Sequence, residues 1–438
     1  MQRQRRLKLI LLFIGFGLFC TLYLYQGTDS LAPWVGVSGL VIASLSFIYA
    51  LRELNFLPEQ STVYILMSSL LLRLATLPIP IVWDDTVYRP IWDGWMQANH
   101  YNPFDFVPRS DSLVFFHSDK LYSLLDHVGS FTGLSPFYQI LYYPMGWIYE
   151  LYGLGTTVIV LKVAAILIDI LLIYSLIRWA KNSEVKTKHI LFLAWNPLYI
   201  LFISSQGILF QFSLIFLIWF FMCWDRNLLG RASILWGCVM LTSPLGWLGL
   251  PYVIRRIGWK SILIIAGTFL IAWLPYLSYN LPTHFMYGIW DSWQYPKPTI
   301  SIGYFVVYFL VTIFKHHALY WPAIILSILF LLIVIDAFRH LPLNRFSFVR
   351  QLFLLSVIYF LITPDLSLGI LIALIYLSAA SGRFIFLGAV TSGLYFMQLW
   401  FYKTASYIVP LIFLGAFIIV FLIWYYKKKS LIKYFTPS

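Results

Sequence analysis

Two adjacent carboxylates, Asp84 and Asp85, open a polar segment, WDDTVYRPIWDGWMQANHYNPFDFVP over residues 83–108, in an otherwise strongly apolar chain. A carboxylate with a reference pKa of about 4 is a weak base, but partial burial and a neighbouring like charge both raise that value. Two acids side by side at a low-dielectric rim supply both effects, so one of them could remove a proton from a hydroxyl. The same pair could hold a divalent cation, Mg or Mn, or one acid could orient the other. A solvated helix end, or an N-cap for a helix over Thr86–Trp95, fits these residues equally well.

The rest of the chain defines the setting in which these acids act. Of its 438 residues 61% are hydrophobic and 11% charged, far from the averages of soluble domains. Apolar runs of roughly 17–22 residues recur throughout, each long enough to cross a hydrocarbon core as a helix. Lipid offers the backbone no hydrogen-bonding partner, and the runs lack the short alternating pattern of a barrel, so helices are expected. The net charge of +13 falls in short clusters such as Arg3–Lys8, Arg178–Lys188, Arg255–Lys260, Arg339–Arg350 and Lys427–Lys429. That pattern orients loops toward the cytoplasm and excludes a nucleic-acid reading of the charge. Cys20, Cys223 and Cys238 lie in apolar runs without metal-ligand spacing. The basic start and long apolar stretch at the N-terminus, with no A-x-A-like site after it, predict a retained first helix.

Placing the basic loops inside gives an all-α polytopic membrane protein of about twelve transmembrane helices plus one re-entrant hairpin, with both termini cytoplasmic. The whole of 1–438 reads as a single integral membrane domain, with 1–60 as an N-terminal helix hairpin near 8–25 and 31–50. A helix near 61–82 delivers Asp84 and Asp85 to the outer face, and 83–136 forms a long extracytoplasmic loop. Its length marks it as functional or disordered, and its aromatic and Pro content argues for order. It holds seven acids (Asp84, Asp85, Asp93, Asp105, Asp111, Asp119, Asp126) against Arg89, Arg109 and Lys120. Residues 137–152 are expected to lie at the outer interface, with Tyr142, Tyr143, Trp147 and Tyr149 at headgroup level. Crossings follow near 156–178, 190–205 and 208–224, and 232–255 is broken at Ser243–Pro244 into the re-entrant hairpin. Helix 261–279 leads to a second outer loop at 280–300, and 300–315 reads as a further interfacial helix. Crossings near 319–338, 351–363, 366–380, 384–402 and 406–426 complete the path.

The pattern D-x-x-x-R-x-x-W-D-G is carried by Asp85, Arg89, Trp92, Asp93 and Gly94, with Asn102–Pro103–Phe104 and Pro108 after it. It resembles the first outer loop of GT-C fold glycosyltransferases, and among them bacterial and archaeal mannosyltransferases that use polyprenyl-phosphate sugars. Tyr143–Pro144 resembles a tyrosine–proline motif after that loop, and Trp195–Asn196–Pro197–Leu198 a W-N-P-L helix start. Two departures stand out. Pro90 follows the motif arginine where relatives carry an aromatic residue, and Ser204–Ser205–Gln206–Gly207 stands where many place a His and an acid.

The resemblance implies an inverting hexosyltransferase, with mannose the preferred sugar and a lipid, glycan or protein as acceptor. It also implies an extracytoplasmic site, and the simple positive-inside pattern fits a bacterial inner (plasma) membrane, with an endoplasmic reticulum protein obeying similar rules. Asp84 or Asp85 would be the base, and Asp93, Trp92, Asn102 and Tyr143 would position the sugar or the loop. Cleavage at a lipid phosphate leaves extra negative charge, which Arg89, Lys297 and His284 are placed to meet. Trp290 and Asp291, near Trp293, form either a sugar-stacking platform or part of an interfacial belt.

Arg73, Lys162 and Asp169 fall inside expected membrane helices, where charges face a cavity or a partner. Lys162 and Asp169 share a helix face, but a direct bond would span about 10 Å along the axis, so separate partners are expected. A transporter or flippase of lipid-linked saccharides is the competing class. It would require a second broken helix pair to match 232–255, and the sequence holds none.

Overall fold

The computed structural model describes residues 10–19, 62–81, 84–181 and 193–278, and isolated positions at 39–47, 190, 283–288, 328–339 and 348–355. All regular structure among the described residues is helical, with no strand. The expected elements near 300–315 and from 366 onward lie outside the described residues.

The first helix, α1, covers Ile10–Phe19. Helix α2 covers Thr62–Leu74, about 20 Å at the helical rise, and stops well short of residue 82. The cause is local. Pro78 and Pro80 remove two backbone donors, and the chain turns through Thr76, whose hydroxyl donates to Arg73 O at 2.7 Å. The two acids are therefore delivered by a turn, not by the end of a long helix.

Helix α3, Asp84–Ala98, runs through the motif with Pro90 inside it. It ends where His100 adopts φ 65° and Tyr101 N donates back to Met96 O at 2.9 Å, a left-handed closure before Pro103. Residues 101–135 are not a floppy loop. Two short 3-10 turns, Asp111–Phe116 and Tyr122–Leu124, fold them over α3.

Helix α4 runs from Pro136 to Lys181, but Gly153 at φ 75°, ψ 178° divides it into two helices. That division falls between the expected interfacial segment 137–152 and the expected crossing 156–178. The first half differs from expectation in one respect. Tyr142 and Tyr149 are buried against α3, and only Tyr143 and Trp147 are exposed. Helix α4, over Pro136–Ala180, is also the one described helix long and apolar enough to cross a membrane.

The expected continuous crossing at 190–205 is interrupted. Residues 193–194 are helical, and a new helix, α5, begins at Pro197 and runs to Ile203. Asn196 Oδ1 accepts from Tyr199 N at 3.3 Å, so Asn-Pro here is an N-cap followed by an N1 proline. Helix α6 is Phe212–Asp225, α7 is Leu229–Thr242, α8 is Pro244–Ile257 and α9 is Lys260–Trp273. The break between α7 and α8 lies at Ser243, whose side chain accepts from Leu245 N at 3.2 Å ahead of Pro244. Each of these two helices is about 21 Å long, shorter than a hydrocarbon core of ~30 Å.

Two large apolar cores and one small cluster around Phe104 and Tyr276 result among the described residues. The larger joins α1, α2, the second half of α4 and α5 to α9. The smaller joins α3, the first half of α4 and the 3-10 turns. Helices α3 and α4 cross at Gly94 and Gly146, where a Cβ on Gly94 would lie 2.2 Å from Tyr142 O and one on Gly146 would lie 2.1 Å from Gly94 O. Only glycine permits so close a backbone approach.

Candidate functional site

Asp84 and Asp85 are the first two residues of α3; their side chains lie outside the described residues.

Below them, α3 carries a closed polar network. Arg89 Nε donates to Asp93 Oδ1 at 2.9 Å, an i,i+4 pair on one helix. The buried Asp93 accepts two more bonds at Oδ2, from Thr132 Oγ1 at 2.6 Å and Gln139 Nε2 at 2.9 Å. Gln139 Oε1 in turn accepts from Gln97 at 2.8 Å, and Gln97 Oε1 accepts from Tyr276 OH at 2.9 Å. With three donors on its two oxygens, the Asp93 side chain is fixed in one orientation. Its role is positional.

Arg89 is largely engaged by the protein as well. Its Nη1 donates to His127 O at 3.3 Å and Nη2 to Ser130 O at 3.0 Å. Of five N–H bonds in the guanidinium, three bind protein acceptors and two are left for a ligand. Trp92 is buried among Trp95, Phe116 and Tyr122, with ring centroids 5.7–6.4 Å away, and presents no face to a sugar. Tyr143 is partly exposed, edge-on to Trp147.

The Asn102–Pro103–Phe104 motif is a latch to the far end of α9. Asn102 Nδ2 donates to Asp105 Oδ2 at 3.0 Å and to Tyr276 O at 3.2 Å, while its Oδ1 accepts from Phe104 N at 3.1 Å. Phe104 is buried against Trp273, Tyr276 and Phe285. His284 stacks on Phe131 at 4.0 Å, and its Nδ1 lies 3.1 Å from Phe104 O, so that nitrogen carries the proton. The start of the second outer segment is thereby docked on the first. Lys297, Trp290 and Asp291 lie outside the described residues.

Of the three charges expected inside the membrane, Lys162 is separate from Asp169 as expected, whereas Arg73 and Asp169 form a pair. Asp169 is paired with Arg73, both fully buried, and accepts from Tyr199 OH at 2.7 Å. Arg73 Nη1 also binds Ser69, and Ala194 O at 2.8 Å. Lys162 donates instead to backbone carbonyls, Leu77 O at 3.2 Å and Ile79 O. Ser204 Oγ lies 3.5 Å from Asp169, and Gln206 Nε2 lies 3.4 Å from Pro80 O, so the Ser-Ser-Gln-Gly turn joins the same buried cluster.

Sequence spacing could not have found Thr132 and Gln139, which converge on Asp93 from two separate elements, or Tyr276, which joins the network through Gln97. Tyr199 had a weak signal, as the residue after W-N-P-L. Among the described residues no group of three or more His, Cys, Asp or Glu that could hold a metal ion converges.

Comparison of the chain with protein families, with curated proteins and with solved structures finds no match.

Proposed function

We propose that this protein is a polytopic membrane glycosyltransferase that moves a hexose from a polyprenyl-phosphate donor to a lipid, glycan or protein acceptor. The observation that carries the reading is the construction of α3: two acids at its N-terminus, on a helix made rigid by Asp93 and the Gly94–Gly146 crossing. Precise, rigid placement of a carboxylate pair is what general-base chemistry requires. The membrane setting draws support from α4, whose second half exposes Ile159, Val163, Leu167, Leu171 and Tyr174 at helical spacing. In water such a stripe would be a liability, and in lipid it is the expected outer face.

In this reading Asp84 or Asp85 takes the proton from an acceptor hydroxyl as its oxygen attacks the anomeric carbon. The bond from that carbon to the phosphate oxygen breaks on the opposite face, giving inversion and a free polyprenyl phosphate. The remaining N–H bonds of Arg89, and Lys297, would stabilise the leaving phosphate. The transporter reading is less favoured on one count, since Arg73, Asp169 and Lys162 are tied to protein partners.

The test is transfer from radiolabelled polyprenyl-phosphate sugars by purified protein, with acceptor supplied or withheld. Asp84→Asn with Asp85→Asn should abolish transfer, while donor binding and the unfolding temperature stay close to wild type. Full turnover by that double variant would rule out either acid as the base.

A further inference from the structure

The segment after α2 pairs the N–H groups of Ala75, Thr76, Leu77 and Ile79 with backbone carbonyls, but leaves carbonyls of its own without a backbone donor. Leu77 and Ile79 each precede a proline, so their carbonyls belong to tertiary amides, and no described backbone donor reaches them. Lys162, buried on the second half of α4, donates its ammonium to both. Gln206, from the turn after α5, reaches Pro80 O at 3.4 Å. Three carbonyls within four residues are thus held by side chains from two other elements. Asp84 and Asp85 follow four and five residues after Pro80.

A buried ammonium is costly, and a methionine of similar length would fill the same space without that cost. What only a multi-donor cation adds is a grip on two carbonyls at once. The carbonyls it grips lie just beyond the C-terminus of α2, the end of a helix dipole that a cation stabilises. Ile79 is also packed into the larger apolar core, but the Arg73–Asp169 pair makes no hydrogen bond to residues 77–80.

We propose that Lys162 is a positioning residue: its ammonium, assisted by Gln206, fixes the Leu77–Pro80 turn and so fixes where α3 presents Asp84 and Asp85. The structural half of this statement stands alone; its effect on turnover rests on the transferase reading above.

The full-length protein in lipid nanodiscs tests both halves, as wild type, Lys162→Met, Lys162→Arg and Gln206→Leu. Hydrogen exchange at the amides of Thr76, Leu77 and Ile79 reports the turn, with α6 as the internal reference. Lys162→Met removes both bonds and should speed exchange there by at least on the order of tenfold, the change expected from a single charge-assisted hydrogen bond, and leave α6 unchanged. Lys162→Arg should restore most of the protection, and Gln206→Leu should raise exchange by roughly threefold. In transfer assays Lys162→Met should lower kcat by a similar tenfold factor with KM for the donor unchanged, and arginine should rescue it. Unchanged exchange at the turn, or a rise spread equally over α6, overturns the proposal. Should Lys162→Met not fold, Gln206→Leu decides by the same criterion. If the wild type transfers no sugar, the transferase reading fails, and the exchange data still decide whether Lys162 holds the turn.

Discussion

The molecule contains two arginine–aspartate pairs, and they are built in opposite ways. Arg89 and Asp93 sit one turn apart on a single helix, at the edge of the smaller core, and every other partner comes from a loop or a neighbouring helix. Arg73 and Asp169 come from different helices, are wholly buried, and meet Ser69, Ala194 and Tyr199 from three more positions. The outer pair needs no tertiary fold to find itself and then gathers the 127–132 segment. The inner pair exists only after α2, α4 and α5 have docked, and it fixes their mutual register. A local pair organises a loop; a long-range pair certifies a helix arrangement. The inner pair also carries a cost, since Arg73 Nη2 is buried without a partner among the described residues.

This contrast can be broken experimentally. The largest effect should come from Asp169→Ala, which leaves Arg73 buried without its counter-charge and should cost about 3–5 kcal/mol. Thermal unfolding in detergent would read it, and adding Arg73→Met should recover most of the loss. A double variant no more stable than the single one would mean that the two charges are not coupled. Asp93→Asn is expected to be milder, about 1.5–3 kcal/mol, because a neutral amide weakens three bonds without burying a lone charge. Its signature should be local: faster proteolysis within 126–132 while α6 and α7 stay protected. Equal damage to both regions would erase the proposed distinction. The smallest effect should be Tyr149→Phe, which removes one hydrogen bond to Asp119 and should cost about 1 kcal/mol or less in the same unfolding assay.

Much of the helical punctuation was legible beforehand. Ser243–Pro244 and Asn196–Pro197 announce helix starts because the missing proline N–H and the capping side chain act within a few residues. Gly153 falls in the gap between the two segments expected on either side of it. Errors arose where a local signal competed with hydrophobicity. Apolar content carried the expected helix through Pro78 and Pro80 to residue 82, whereas the missing donors end α2 at Leu74. In the same way, Tyr142 and Tyr149 read as belt residues by type, yet the Gly94–Gly146 crossing turns their face inward.

The candidate site shows the same division. The sequence alone placed two acids ahead of an R-x-x-W-D-G run and marked Asn102–Pro103–Phe104 as a motif, since residue order is all that such spacing needs. It also separated Lys162 from Asp169, because seven helical residues span too great a distance for one bond. Only tertiary structure decided that Asp93 is held by Thr132 and Gln139, that Asn102 latches onto Tyr276, and that Lys162 holds the turn before the acids. Each of these facts joins residues far apart in the chain. A hydrogen bond depends on angstrom-scale geometry, and that geometry is set by helix packing, which sequence spacing does not encode.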